Sequence, residues 1–389
     1  MTADPQQLDA SRWPHRFAVL LVAATVTLIF VGGLVTTTES GMAVPDWPTT
    51  FGYGMFSFPL EDWVGGGWEL FIEHGHRLLG SIVGLITIAF LLSLIRCDRR
   101  RWMWGLGLLA LAAVIFQGIL GGTRVIENER TLAMVHGCFA PIFLSLCVCN
   151  AVFTSRRWHL SFANADKRVV KDQIDRKPNQ ASAPPVNPFA GAKSGAFLFA
   201  AAVLVFAAYA QIVLGAQLRH LPATASAATG LTFAIFHVVA AVVLVIFAIA
   251  ISLAARRMFK AADLSAQQDK SLNTGVRQLA HWLNLLICGQ VALGCATWVL
   301  NYGWPNWLVT EQTSIVVAQN FWQTVITTGH QTTGSLILAA CVGVFWRSYA
   351  VSRSAEYARL IGETNQKAGL RTPRTSNQTV SGALAGGVS

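Results

Sequence analysis

Charge is what this chain has least of. Asp, Glu, Lys and Arg make up 12% of its 389 residues, about half of the usual ~25% in soluble domains, and that scarcity excludes a row of soluble domains. Cysteine is sparse where it would matter. The seven are Cys97, Cys138, Cys147, Cys149, Cys288, Cys295 and Cys341, and none falls in a segment read as an exposed outer loop, so no disulfide framework is expected. The C-x-C at Cys147 and Cys149 directs its thiols to different helix faces, which argues against chelation by that pair.

What is present is apolar sequence, 53% of the chain. Eight runs, roughly 17–38, 70–95, 102–123, 131–154, 195–216, 231–254, 278–300 and 322–346, each hold about 20 residues or more, enough at about 1.5 Å rise per residue to cross a hydrocarbon core of about 30 Å. The first run outlasts the apolar core of a signal peptide and lacks a small-residue cleavage site after it. The expectation is an all-α integral membrane protein of eight transmembrane helices, with the lipid bilayer as its solvent.

The net charge of +10 is topological. Of the 29 Lys and Arg residues, 25 fall in the amino-terminal tail, the loops after runs two, four and six, and the carboxyl tail. Only Arg77, Arg124, Arg130 and Arg219 lie on the other side. The positive-inside rule then puts both termini in the cytoplasm, or in the matrix of a mitochondrion, and no nucleic-acid partner is expected.

The expected organisation is an amino-terminal tail (1–16), a four-helix bundle (17–154), a polar linker with "ASAPPVNP" (155–194), a second four-helix bundle (195–346) and a disordered tail (347–389). Both bundles start on the inside, so a duplication would relate them by an axis along the membrane normal, making them pseudo-symmetric. Internal echoes agree. Q-x-x-L-G-small recurs from Gln117, Gln211 and Gln290, near the outer ends of odd-numbered runs, and "HRLLGS" from His76 answers "HQTTGS" from His330. The first pattern suits either close helix packing through small residues or a wall shaped to a flat ligand.

Four of nine histidines, His76, His136, His237 and His330, fall in runs two, four, six and eight, between about one and three turns inside the outer start of each. A single such histidine would be read as a polar packing residue. Four at matching depth, two to each half, suit axial ligation of two haem irons inside apolar bundles. Zinc or copper would want a third ligand, and the only nearby one is Cys138, two residues from His136. Haem propionates need positive charge, and Arg77, Arg124 and Arg219 are the candidates, although snorkelling to lipid headgroups explains them as well.

Glu73 precedes His76 by three residues and shares its helix face, whereas the corresponding positions before the other histidines hold Ala133, Ala234 and Thr327. The asymmetry points to one site for chemistry and one for electron transfer or structure. Arg77 could neutralise Glu73, a pairing disfavoured because sequence neighbours such as His76 and Arg77 diverge by about 100° around a helix. His74 is expected at the membrane interface. The outer segment "TESGMAVPDWPTTFGYG", residues 38–54, is long for a helical hairpin and is expected to cap the first bundle.

"GGLVTTTESGMAVPDWPTTFG" followed by "IEHGHRLLGS", with histidines in runs four, six and eight, resembles the haem A synthase family of bacteria and mitochondria, over roughly residues 17–346. The resemblance implies an enzyme of the bacterial inner membrane that oxidises the C8 methyl of haem O to the formyl group of haem A, the cofactor of terminal oxidases. The course it implies is hydroxylation to an alcohol, a second oxidation to a geminal diol, and loss of water. Carried over by motif, His76 and His136 flank the substrate haem, Glu73 is the acid at its reacting edge, and His237 and His330 ligate haem b. Implied partners are the farnesylating haem O synthase, for handover of substrate, and a membrane electron donor; a homo-oligomer is left open. Many bacterial members carry cysteine pairs in outer loops, which this chain lacks. Rival readings are a non-catalytic di-haem b electron carrier and a transporter, the latter disfavoured because its polar groups should lie near the bilayer centre.

Overall fold

The computed structural model describes residues 11–160, 192–222, 224–264, 270–302 and 320–367. Among these, eight helices are long and apolar enough to cross a membrane. Numbered in chain order they are α1 (Trp13–Thr37), α2 (Trp68–Cys97), α3 (Arg101–Ile126), α4 (Arg130–Phe153), α5 (Ala192–Arg219), α6 (Ala227–Leu264), α7 (Lys270–Tyr302) and α8 (Phe321–Lys367). No strand occurs among the described residues, only an isolated bridge between Thr50 and Tyr53. The chain is an all-α integral membrane protein, the form in which each span satisfies its own backbone polar groups within lipid.

Polar punctuation sets the helix ends. Between α2 and α3, Asp98 leaves the helix with extended backbone angles. Its carboxylate accepts a hydrogen bond from Arg100 at 2.6 Å, and the same guanidinium donates to the Phe153 carbonyl at 3.1 Å. That turn is thereby tied to the end of α4.

Helices α1, α2, α3 and α4 pack as a closed ring, each on its sequence neighbour and α4 back on α1; α5 to α8 repeat the arrangement. The two rings meet through α1 on α8, α5 on α4 and α4 on α8. Exchanging the rings exchanges the first two contacts and leaves the third unchanged, as a pseudo-twofold axis between α4 and α8 requires. Each ring has its own apolar core, one around Leu21, Phe90, Leu94 and Met103, the other around Leu204, Leu244, Leu283 and Leu338. Ile29, Leu144 and Ala339 join them across the seam.

The helix α8 is the hub. Of the 18 most apolar consecutive residues of its span 61% are buried, against at most 33% in any other. It is also the least hydropathic span, carrying Thr328, Thr332 and Ser335 buried; small hydroxyl residues let neighbouring backbones approach closely. The outward faces are apolar by contrast, as along Val239, Val243 and Ile246 of α6, all more than half exposed.

Two expectations change in detail. The eighth span does not end at 346 but continues as helix to Lys367, so the beginning of the expected disordered tail is helical. Most of the 155–194 linker, the first ten residues and the tail beyond Lys367 lie outside the described residues.

Candidate functional site

The four histidines meet in two pairs. His76 and His136 bring their ring centroids to 6.4 Å with an interplanar angle of 81°; His237 and His330 stand at 6.3 Å and 75°. Each pair spans its ring diagonally, from α2 to α4 and from α6 to α8. No hydrogen bond links the two imidazoles of either pair among the described residues.

A glycine on the preceding helix stands behind every one of these histidines. A Cβ on Gly32 would lie 2.8 Å from Cε1 of His76, on Gly121 2.9 Å from His136, on Gly215 3.0 Å from His237, and on Gly294 2.9 Å from His330. Any side chain there would push the imidazole aside. Three of these are the glycines of Q-x-x-L-G, so the motif's small residue makes room for a ring on the next helix. Its glutamine holds the same neighbour: Gln117 Nε2 donates to the His136 carbonyl and Gln211 Nε2 to the His237 carbonyl, each at 2.9 Å. Sequence reasoning missed Gly32, because α1 carries Leu28 where the other three helices carry glutamine.

Unpaired polar atoms gather at the same places. The Nδ1 atoms of His76, His136 and His330 and the Oε1 atoms of Gln117, Gln211 and Gln290 are buried without a hydrogen-bond partner. Orphaned buried groups are uncommon and costly, and these surround the histidine pairs.

Over the first pair lies the 38–67 segment, held by the residues around His76. The Glu73 carboxylate, 2% exposed, accepts the Val44 N–H at 2.9 Å and an Arg77 N–H at 2.9 Å. Arg77 donates onward to the carbonyls of Val44 (2.7 Å), Asp46 (2.7 Å) and Thr49 (3.0 Å). Asp46 closes the next turn by accepting N–H bonds from Phe51 at 2.8 Å and Gly52 at 2.9 Å. Those bonds and one from the Thr49 hydroxyl hold its carboxyl down at about 2, against the opposing effect of burial. The indole of Trp47 packs against Gly122 of α3, beside the glycine that backs His136.

Two expectations are corrected here. Arg77 does pair with Glu73, since residues four apart lie one turn on along the same face; the divergence that matters is between Arg77 and His76. Arg77 is consequently engaged by the loop. His74 is not interfacial: it is 2% exposed, bonded to the Thr50 hydroxyl at 3.0 Å and enclosed by Phe58 and Trp63 at ring distances of 5.1 and 5.3 Å.

The other two basic candidates differ. Arg219 donates to Gln331 Oε1 at 3.0 Å and Thr37 Oγ1 at 2.6 Å, across the seam between the rings. The Arg124 guanidinium makes no hydrogen bond or ion pair among the described residues; it lies over Gly41, where a Cβ would stand 2.5 Å from Nη1. In the loop after α5, burial and the nearby Arg219, Arg124 and Arg130 push the His220 imidazole down to about 4.

Two nitrogens on opposite sides of one metal, with bonds of about 2 Å and each ring centre about 1.1 Å behind its nitrogen, would place centroids about 6.3 Å apart. Both pairs match. No group of three or more His, Cys, Asp or Glu stands together among the described residues, so any metal here would need its other ligands from a group that brings them along, such as a porphyrin.

The fold and this geometry define an integral membrane protein with two imidazole pairs, one in each ring of helices. No protein-family profile matches the chain. It is similar, however, to the curated "Heme A synthase" of Halalkalibacterium halodurans, 27% identical over 144 residues, covering 34% of this chain and 43% of that one. It is also similar to the proteins of the same name from Exiguobacterium sibiricum (26% over 144 residues, 36% and 46%) and Shouchella clausii (27% over 139 residues, 33% and 41%). The matched stretch spans less than half the length of these relatives. The likenesses support kinship with that family at a distance.

Proposed function

We propose that the chain is a haem A synthase, an integral membrane oxidoreductase that converts haem O to haem A by successive hydroxylation of the C8 methyl to a formyl group. The observation that carries this reading is the pair of imidazole couples, with ring centroids 6.4 and 6.3 Å apart and a glycine behind each ring. In this reading His76 and His136 flank the substrate haem in the first ring, and His237 and His330 hold haem b in the second. Haem b, when bound, supplies one-electron transfer.

The surrounding side chains have separable tasks. Arg124 offers its guanidinium to a propionate. The loop clamped by Glu73 and Arg77, with Trp47 against α3, excludes water from the outer mouth of the first chamber. Each Glu73 oxygen accepts one hydrogen bond, Oε2 from Val44 and Oε1 from Arg77, which leaves each a second lone pair with which to take a proton from substrate. Among the described residues such a loop lies by the first pair, and this favours an enzyme above a carrier with two equal sites. The setting proposed is the bacterial plasma membrane with both termini cytoplasmic, with haem O synthase and a membrane electron donor as partners.

The test is expression in a host that makes haem O but lacks its own haem A synthase, followed by extraction and chromatography of haems. Haem A in the extract supports the reading. Unchanged haem O, with b-type spectra alone, would turn the assignment to a di-haem b electron carrier.

A further inference from the structure

His74 and His76 stand two residues apart on α2, so their side chains diverge by about 200° around the helix. With His76 turned into the ring, His74 points to the opposite flank. The principal contacts of α2 are with α1 and α3 and include no helix of the second ring, so that flank is the one a bare span would turn to lipid. His74 is buried there all the same, because the chain between α1 and α2 wraps it. Thr50 bonds the ring, and Phe58 and Trp63 lie against it. Trp63 also stacks on Phe71 at 5.5 Å and donates its indole N–H to the Phe71 carbonyl at 3.1 Å. Residues 50–64 therefore clasp the outward flank of α2.

The clasp also reaches down the helix. Ser81 Oγ donates to Met55 Sδ at 3.0 Å, and Ser81 lies 15 residues before Arg96, about 22 Å along α2. A hydrocarbon layer of about 30 Å, measured from Arg96, extends past Ser81 toward the start of the helix. Met55 thus sits at acyl-chain depth, and Phe56 beside it is 71% exposed. Leu60 and Val64, 66% and 59% exposed, share one face of the short helix Leu60–Gly65. The acids of that turn, Glu61 and Asp62, fall about 100° and 200° round from Leu60. Residues 50–68 hold no Lys or Arg. On α2, Ile82 and Leu85 are exposed in turn, so the apolar surface of the clasp continues into the lipid-facing flank of the helix.

We infer that the clasp is set into the membrane leaflet next to the start of α2, with Phe56, Leu60 and Val64 among its acyl chains. Exposed apolar side chains gathered on one short segment mark an interaction surface. A turn with an apolar face, acids on its other side and aromatic residues around it suits the boundary between headgroups and hydrocarbon. The contact of Met55 with Ser81 fixes the depth, and continuity with Ile82 and Leu85 makes lipid the occupant. The segment over the first imidazole pair is then fastened on one side by Glu73 and Arg77 and on the other by the bilayer.

The full chain with p-benzoylphenylalanine in place of Phe56, assembled in nanodiscs of dioleoylphosphatidylcholine, irradiated and read by intact-protein mass spectrometry, tests this. The expected product carries one lipid molecule, and fragmentation places the new bond on an acyl chain. Its yield should come close to that from the same replacement at Ile246, on the exposed flank of α6. The replacement at Asn128, exposed in the turn between α3 and α4, should give little or none. A yield at Phe56 as low as at Asn128 would put the segment in water and overturn the inference. Bonds confined to the headgroup would overturn the depth, and a covalent dimer as main product would replace lipid by a second copy of this chain. If the Phe56 replacement fails to fold, the same replacement at Leu60 decides. Haem content and haem A formation play no part in this readout, so its failure and that of the enzymatic reading are separate.

Discussion

A single hydrogen atom on each of Gly32, Gly121, Gly215 and Gly294 leaves the room that an imidazole fills. Enlarging that hydrogen to a methyl group is therefore a sharper probe than removing the histidine itself. Gly294→Ala sets a Cβ 2.9 Å from His330 Cε1; overpacking of this kind costs about 1–3 kcal/mol. The low-spin b-type absorbance of the reconstituted protein should fall, while Gly289→Ala on the same helix, where a Cβ meets nothing within 4 Å, leaves it unchanged. At Glu73, removing one partner of a nearly dry ion pair, with side chains 8% and 2% exposed, strands the other, a loss of about 3–5 kcal/mol of local stabilisation. Glu73→Ala should keep bound haem but lose haem A formation, and should make the 38–54 segment susceptible to protease. Full activity in that variant would free the mechanism of Glu73.

At the scale of elements, the outer segment is a lid built from its own turns and fastened by α2. Asp46 is the internal fastener. Its carboxyl titrates at about 2 in the folded chain, below the ordinary 3.8, so its contribution is complete above pH 4 and lost as pH falls through about 2. Amide exchange at Phe51 and Gly52 should accordingly stay slow at neutral pH and quicken, beyond the intrinsic trend, only in strong acid. Asp46→Asn should quicken it at neutral pH. A lid fastened this way also accounts for the joint presence of "PDWPTTFG" and "EHGHR": Glu73, His74 and Arg77 grip the loop while His76 turns into the ring.

For the whole molecule, the decisive feature is the seam around α8. Arg219 of α5 reaches Gln331 of α8 and Thr37 of α1, and Thr37 bonds Thr328 at 3.0 Å, so one polar knot joins both rings near the two chambers. A fully apolar seam would hold less tightly in lipid, where tails compete for apolar surface. Arg219→Gln should lower the thermal midpoint of the detergent-solubilised protein, by a loss of about 1–3 kcal/mol. An unaltered midpoint would show that apolar packing at Ile29, Leu144 and Ala339 suffices.

Much of this was written in the order of residues. Length and apolarity of eight runs determine helices that cross a membrane, because no other open structure satisfies its backbone there, and the place of four histidines a few turns inside the outer starts of the even-numbered runs sets them at one depth. The sequence also held the Glu73 and Arg77 pair, legible from a four-residue step along one helix face. The tertiary structure alone decided which imidazoles face each other, that Gly32 serves α1 without its glutamine, that Trp47 rests on Gly122, and that α8 lies at the centre. Those are contacts between segments remote in the chain. Periodicity fixes which face a residue occupies on its own helix, but the rotation of one helix against another is set by packing, which no single segment encodes.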